Sequence, residues 1–339
     1  MMVNNYLTSN NLAKHSDLIY SEILTTEEYK DSNLAPHTII DRTDRFVFYR
    51  IDNLKIANNS IIFTNSLMIE AFFNDIKNIK NITNIKLISS QTDRLITEKL
   101  FRLKPKLISK WYSVNIGYED EDLISLPLGL ANEYSPKNPF AKDFAQYENT
   151  NENKIEKLYL NFNPSTNLIE RGDLFSLFEN KDWAVVDKEM MSINGYLSKL
   201  NEYKFILCPF GNGIDTHRIW ETLYSGSIPV VKKNIALNSL RNLPVIFYDD
   251  IKEINLKFLK NKCESIEKDN FNLDDLLVDT WINKIKNNEV VDVNDLVTHP
   301  ASKAFYFYFK NIMKIKSLLN KINKKIKFRI NQINKVIGR

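Results

Sequence analysis

The sequence predicts an α/β protein with two sets of alternating strands and helices. Apolar runs of about four to eight residues alternate with stretches of helical periodicity, which is the pattern of parallel βαβ units. The alternation breaks at the polar, Asn-rich segment 138–156 and then starts again. We therefore expect two Rossmann-like, doubly wound domains facing each other across a cleft, at 1–150 and 151–300, followed by a C-terminal helical segment at 301–339.

The first set supplies three predicted strands. SIIFTN at 60–65 predicts a strand, and SLMIEAFFNDIKN after it has the spacing of a helix. Further strands are expected in NIKLISSQ at 84–91 and LISLPLG at 123–129.

The second set repeats the pattern more regularly. We expect strands in KLYLNFN at 157–163, DWAVVD at 182–187, KFILC at 204–208, IPVVK at 228–232 and LPVIFYDD at 243–250. The intervening segments LIERGDLFSLFEN, MSINGYLSKLNEY and THRIWETLYSG predict helices, as does 251–263.

Composition and charge exclude several classes of protein. A hydrophobic fraction of 43% and a charged fraction of 26% are typical of a soluble globular chain. Cys208 and Cys263, its two cysteines, provide neither a disulfide framework nor a zinc cluster. No signal peptide or membrane span is evident, so a cytoplasmic location is expected. The net charge of +4 comes from residues 310–339, and the rest has 36 basic against 42 acidic residues, which disfavours nucleic-acid binding.

The loop PFGNGID, between KFILC and the next helix, carries the strongest chemical signal. Ligands of doubly wound sheets bind at such βα loops, and Gly211 and Gly213 allow a close approach or a positive φ. Thr216 or Asp215 can cap the helix, whose free N–H groups favour a phosphate. Arg218 in the first turn can bind phosphate oxygens, and Glu221 on the same face can accept hydrogen bonds from ribose.

Alternative interpretations of this loop remain open. Arg218 and Glu221 could form an ordinary surface ion pair, and His217 is expected on the helix surface without a catalytic role. A dinucleotide site is disfavoured, because Thr216 stands where the fingerprint has its third glycine and the next strand ends in VVKKN without an acid.

The segment FILCPFGNGIDTHRIWETLYSGSIPVV resembles the donor site of exostosin-type glycosyltransferases and, more loosely, of fucosyltransferases. Over about 30 residues it shares their P-G-x, R-x-W-E and final Pro-Val pattern. The resemblance implies a GT-B fold, with the nucleotide-sugar donor held mainly by the C-terminal domain. By position it implies Arg218 at the diphosphate, Glu221 at the ribose, and Gly211 and Asn212 in the donor pocket.

Other candidates follow predicted strand ends on the cleft side. Asn163 and Arg171 come after the first strand of the second set, and Arg171 is a candidate second phosphate contact, or else caps its own helix or is solvated. Asp93 is the candidate base that takes the acceptor's proton, and a helix N-cap explains it equally well. Asn115 and Asn132 are candidate acceptor contacts.

No metal or other cofactor is expected. Asp120, Glu121 and Asp122 match an acid-x-acid metal motif of another glycosyltransferase fold, but they precede a strand, so a solvated loop is the better interpretation. A metal-dependent transferase using this run remains a weaker alternative.

The C-terminal segment combines an apolar stripe with many cations. Isoleucines and a leucine recur every three or four residues from Ile312 to Ile337, and residues 310–339 hold ten Lys or Arg and no acid. This pattern favours a helix lying on an anionic membrane surface. The sequence as a whole thus predicts a peripheral membrane glycosyltransferase that acts on a glycan or lipid-linked acceptor. The alternative is a membrane-associated nucleotide- or sugar-binding protein without transferase activity.

Overall fold

A computed structural model of the chain describes residues 5–144, 154–269, 271, 273–291, 295–303 and 311. These residues form an α/β structure with one mixed sheet, one parallel sheet and a small two-stranded sheet. The helices are α1 (Ser9–Lys14), α2 (Thr26–Asp31), α3 (Ile69–Ile76), α4 (Glu98–Phe101), α5 (Ala141–Phe144), α6 (Leu168–Arg171), α7 (Leu174–Phe178), α8 (Ile193–Glu202), α9 (His217–Tyr224), α10 (Leu256–Lys268) and α11 (Val278–Lys286).

The N-terminal half contains a seven-stranded mixed sheet. Its strands, in spatial order, are β2 (His37–Arg42), β3 (Phe46–Ile51), β1 (Leu18–Thr25), β5 (Ile61–Asn65), β6 (Ile85–Ser90), β7 (Ile108–Ser113) and β8 (Leu123–Ser125). The expected strands at 60–65, 84–91 and 123–129 correspond to β5, β6 and β8. This sheet is mixed rather than built from parallel βαβ units alone, because β3 runs antiparallel to both β1 and β2. Only three residues separate β2 from β3, a connection too short for a parallel crossover.

The C-terminal half contains a five-stranded sheet that is parallel throughout. In spatial order its strands are β10 (Ala184–Val186), β9 (Ile155–Leu160), β11 (Tyr203–Leu207), β12 (Ile228–Lys232) and β13 (Ile246–Tyr248). All five expected strands are present. The single helix expected over LIERGDLFSLFEN is instead divided into α6 and α7 by Gly172 and Asp173.

The two halves share packed surfaces. One cluster of buried side chains includes Leu126 and Leu128 from the N-terminal half together with Ile206 and Trp220 from the C-terminal half. The third sheet pairs β4 (Asn53–Ile56) with β14 (Val297–Pro300), so the end of the predicted C-terminal domain returns to the N-terminal half.

The expected basic helix over 310–339 lies outside the described residues, apart from Asn311. Within the part of the chain that the structure describes, no helix has the length and apolarity needed to cross a membrane.

Candidate functional site

A cavity of about 440 Å³ opens at the carboxyl ends of strands from both sheets. The loops after β9, β10 and β11 form one side, and segments following β6 and β8 form the other. Predicted site residues that line it are Asp93, Asn163, Arg171, Gly211, Asn212, Gly213, Thr216, Arg218 and Glu221. The structure therefore brings together residues that are more than 120 positions apart, since Asp93 and Arg218 line one cavity.

Two glycines of the loop after β11 are needed for space. A Cβ added at Gly213 would lie 2.7 Å from Nδ2 of Asn115 and 3.0 Å from Oδ1 of Asp93. At Gly211 a Cβ would lie 3.1 Å from a terminal nitrogen of Arg171. Neither glycine has a positive φ. Of the two reasons expected for a glycine at these positions, the close approach of neighbouring groups therefore applies to both.

Arg218 and Glu221 project from the first turn and a half of α9 into a mostly buried environment. The guanidinium of Arg218 lies over the ring of Tyr196, with 5.0 Å between Cζ and the ring centroid. Its buried Nη1 has no hydrogen-bond partner among the described residues. Glu221 is 4% exposed, and its Oε2 accepts a hydrogen bond of 2.7 Å from the hydroxyl of Tyr196. The interpretation of these residues as a surface ion pair is wrong.

Burial also sets the protonation of Glu221. Its removal from water raises the pKa of this carboxyl, whereas the charge of Arg218 and the hydrogen bond from Tyr196 act in the opposite direction. Thr216 occupies the N-cap position of α9, but its side chain makes no capping hydrogen bond, contrary to the expectation. Its buried Oγ1 has no partner among the described residues. The N-terminus of α9 thus presents unpartnered hydrogen-bonding groups, which is unusual for buried polar atoms.

Arg171 holds the loop after β11. Its Nε donates to the carbonyl of Phe210 at 2.7 Å, and its terminal nitrogens donate to Pro209 at 3.0 Å and Asn163 at 3.4 Å. It is 7% exposed and does not bond within its own helix, so both the solvated and the self-capping interpretations are wrong. Burial, with the nearby charge of Arg218, lowers the pKa of Arg171 to about 10. Asn163 in turn caps the short 3₁₀ turn Pro164–Thr166.

The structure separates the residues expected on the acceptor side. Asp93 is exposed on the cavity wall, and the N-cap of α4 is Thr97, so Asp93 does not cap that helix. Asn115 does not line the cavity. Its Oδ1 accepts hydrogen bonds from the backbone N–H groups of Ile214 at 2.8 Å and Asp215 at 2.9 Å.

Asn132 lines a separate, smaller cavity of about 140 Å³. Its Oδ1 accepts from the backbone N–H of Asn10 at 3.1 Å, and its Nδ2 donates to the hydroxyl of Tyr134 at 2.9 Å. The chain segment 132–141 contributes to both this cavity and the larger one. Asn132 therefore neighbours the larger cavity without being part of its wall.

Sequence reasoning missed or misassigned three residues at the cavity. Tyr196 comes from α8, and no local motif marks it. His217 was expected on the helix surface, but it lines the cavity and its Nδ1 lies 2.8 Å from the carbonyl of Gly129. Asp215 does not cap α9 with its side chain. It accepts hydrogen bonds from Nε1 of Trp220 and the N–H of Leu128, each at 2.8 Å, and burial raises its pKa to about 7.

The acidic residues before β8 form ion pairs and a hydrogen bond to the backbone. Asp122 forms ion pairs with Lys104 and Lys110, and Oδ1 of Asp120 accepts from the backbone N–H of Asp122. Among the described residues, no group of three or more His, Cys, Asp or Glu side chains is arranged to hold a metal ion.

Comparison with known proteins yields one family. The model of the RXYLT1 C-terminal domain matches residues 168–288, which include Arg171, the loop after β11 and all of α9. The match supports a glycosyltransferase-like family of the exostosin kind for this stretch, in agreement with the resemblance found in the sequence. No curated protein matches the chain.

Proposed function

We propose that this protein is a GT-B glycosyltransferase that transfers a sugar from a nucleotide-sugar donor to a glycan or glycolipid acceptor. The observation that carries the proposal is the guanidinium of Arg218. It lies at the N-terminus of α9, at the edge of a cavity of about 440 Å³, with one buried nitrogen left unpartnered. A buried guanidinium nitrogen without a hydrogen-bond partner is costly, and an anionic ligand would compensate it. The family match over the same residues supports the diphosphate of a nucleotide-sugar as that anion.

The donor is assigned to the wall formed by the C-terminal half. Arg218 and the free N–H groups of α9 bind the diphosphate, because a helix N-terminus and a guanidinium both favour phosphate oxygens. Glu221, oriented by Tyr196, accepts hydrogen bonds from the ribose. Gly211, Asn212 and Gly213 line the cavity, and Gly213 lies next to Asp93, where we place the transferred sugar.

The chemical step needs a base and a stabilised leaving group. We assign the base to Asp93, which takes the proton of the acceptor hydroxyl as its oxygen bonds to the anomeric carbon. The bond between that carbon and the diphosphate oxygen breaks, and the electron pair stays with the diphosphate. Arg218 and the dipole of α9 stabilise the charge that develops there. Arg171 contributes by fixing the loop after β11 through the carbonyls of Pro209 and Phe210 and by joining it to Asn163 after β9.

The acceptor and the setting extend the same proposal. Asn132, in the adjoining smaller cavity, is assigned to the acceptor side. Asn115 stabilises the donor loop by accepting a hydrogen bond from its backbone. The basic segment 310–339 would hold the enzyme on an anionic membrane surface at the cytoplasmic face, next to a lipid-linked acceptor.

A ligand panel tests the proposal. Thermal shifts are measured with UDP, GDP, CDP, ADP, CMP and NAD, with and without Mg²⁺, on the wild type and on Arg218→Ala. Sugar nucleotides that carry xylose are included, because the matched family is one of xylosyltransferases. We expect one nucleoside diphosphate and its sugar nucleotide to stabilise the wild type and not the variant.

A second assay separates transfer from passive binding. Slow hydrolysis of the stabilising donor, without acceptor, would support a transferase, because a binding protein releases no nucleotide. Stabilisation without release under any condition would favour the binding protein. If the folded protein responded to no nucleotide, the proposed function would be wrong.

A further inference from the structure

We propose that His217 is a second cationic ligand of the donor diphosphate, and that it makes donor binding dependent on pH. This inference rests on the proposed function, since it concerns the same cavity. His217 is the first residue of α9, next to Arg218, and it is half-buried on the cavity wall. No expectation from the sequence gave it a role.

The imidazole has a fixed orientation. Nδ1 lies 2.8 Å from the carbonyl oxygen of Gly129. A carbonyl can only accept a hydrogen bond, so Nδ1 carries the proton and donates it. The other nitrogen, Nε2, makes no hydrogen bond within the described residues and is accessible. Nε2 can therefore gain a proton, and the imidazolium then donates from both nitrogens.

The carbonyl that orients the ring is itself fixed. Gly129 has a φ of 73°, and a Cβ at that position would lie 2.1 Å from the carbonyl oxygen of Leu7. The N–H of the next residue, Leu130, donates to the same carbonyl at 2.8 Å. A side chain cannot be accommodated there without moving the backbone. His217 thus links α9 to a rigid turn of the N-terminal half.

The negative charge of the diphosphate gives a protonated His217 a role in binding. The diphosphate of a sugar nucleotide carries about two negative charges at neutral pH. Among the cations of the described cavity wall, Arg218 is half-buried and has one buried nitrogen without a hydrogen-bond partner. Arg171 uses three of its N–H groups on carbonyls, and Lys137 is exposed. His217 is the cationic group adjacent to Arg218 that can supply the second charge.

The charged and titratable groups around the ring come from several elements. Arg218 and Glu221 share α9 with it, Asp215 precedes it, Tyr196 lies on α8, and the other walls contribute Arg171, Asp93 and Lys137. A bound diphosphate favours the imidazolium form of His217, so binding takes up a proton. Affinity is then highest at low pH and falls as the pH rises through the pKa of the complex.

The test measures equilibrium binding of the sugar nucleotide identified by the ligand panel. Its two phosphates do not titrate between about pH 6 and pH 8, unlike the terminal phosphate of a nucleoside diphosphate. For the wild type we expect Kd to rise about tenfold across this range, because binding takes up a proton. Calorimetry in two buffers of different ionisation enthalpy should show uptake of a proton.

Two variants and one control make the test specific. His217→Asn keeps an amide N–H where Nδ1 donates to Gly129, and His217→Gln places an amide near Nε2. Both should lose most of the pH dependence and the proton uptake, with the difference from wild type concentrated at low pH, and Asp215, whose pKa burial raises to about 7, accounts for what remains. His15→Gln should behave like the wild type, because His15 is exposed, bonds to the carbonyl of Asn11 and does not line the cavity.

Two results would count against these claims separately. If both His217 variants kept the wild-type pH profile and a Kd within about twofold, the inference would be overturned while the proposed function stood. If no sugar nucleotide or nucleoside diphosphate bound the folded wild type at any pH, the proposed function itself would fail.

Discussion

The hydroxyl of Tyr196 donates a hydrogen bond of 2.7 Å to Oε2 of Glu221. The same ring lies beneath Arg218, 5.0 Å from its guanidinium carbon. One tyrosine of α8 therefore orients two residues of α9, the anion with its hydroxyl and the cation with its π face. Neither contact is visible in the local sequence, because α8 and α9 are separated by β11 and its loop.

The first prediction concerns Tyr196→Phe. The substitution keeps the ring under Arg218 but leaves Oε2 of Glu221 without its donor. We expect the free energy of unfolding to fall by about 1 kcal/mol and donor affinity to fall about fivefold, the values for one buried hydrogen bond. Both are measured by denaturant titration and calorimetry. Tyr118→Phe, outside the cavity, is the control and should change neither quantity beyond error. A Tyr196→Phe variant with wild-type affinity would show that Glu221 does not need this orientation.

The second prediction contrasts the two arginines of the cavity. Arg171→Met removes the donors of three loop carbonyls and should lower the free energy of unfolding by about 2–4 kcal/mol. Arg218→Met removes an incompletely paired cation, so the stability of the ligand-free protein should change by less than about 1 kcal/mol.

Thermal melts with and without nucleotide check this contrast. The nucleotide-induced rise in Tm should vanish in Arg218→Met. The prediction would be contradicted if Arg218→Met destabilised the ligand-free protein as much as Arg171→Met does. Arg218 would then be a structural residue.

Local sequence signals predicted one wall of the candidate site. The glycines, Arg218 and Glu221 all lie in a single strand, loop and helix, so their spacing alone places them on one wall. The parallel sheet of the C-terminal half was predicted for the same reason, since each strand is a short apolar run followed by a helix.

Features that depend on contacts between residues far apart in the sequence could not be predicted. The contacts from Asn115 to Ile214 and Asp215, and from Asp215 to Leu128, join residues about 90 to 100 positions apart. Strands β1, β2 and β3 were missed because their apolar residues do not follow one strict alternation, and β2 and β3 are joined by three residues without a helix. Asp215 illustrates the limit: its sequence position suits a helix cap, but burial against Trp220 gives it another partner.

The third prediction concerns Gly213, where the loop after β11 meets the N-terminal half. In Gly213→Ala the new methyl would lie 2.7 Å from Nδ2 of Asn115 and 3.0 Å from Oδ1 of Asp93, so one of these contacts must shift. We expect kcat for transfer to fall at least about tenfold, while donor Kd changes less than about threefold, because Arg218 and Glu221 are not displaced.

A matched glycine serves as the control for this prediction. Gly195 lies inside α8, where a Cβ would meet Oγ of Ser192 at 3.3 Å. Gly195→Ala should keep kcat and stabilise the helix by up to about 1 kcal/mol. Wild-type kcat in Gly213→Ala would show that the position of Asp93 is not critical for the reaction.

The last prediction concerns the pH dependence of stability, and the titrating group is the carboxyl of Glu22 on β1. This side chain is 2% exposed, its Oε2 accepts from the hydroxyl of Tyr49, and its Oε1 has no partner among the described residues. Burial raises the pKa of Glu22 from 4.5 to about 8. The folded state therefore binds more protons than the unfolded state between these values. Stability should fall as the pH rises from about 4.5 to 8, by up to about 1.4 kcal/mol per pH unit for this one group.

Glu22→Gln tests this origin of the pH dependence. The amide keeps the shape of the side chain and an oxygen for Tyr49, but it does not titrate. The slope between about pH 4.5 and 8, measured by denaturant unfolding, should become shallower, and the variant should be more stable than the wild type near pH 8. Asp215, whose pKa burial raises to about 7, contributes a slope of the same sign that remains in the variant. Glu27→Gln, at an exposed position of α2, should leave the slope unchanged. An unaltered slope in Glu22→Gln would mean that Glu22 is ionised in the folded protein, with a cation or water supplying the partner that its Oε1 lacks.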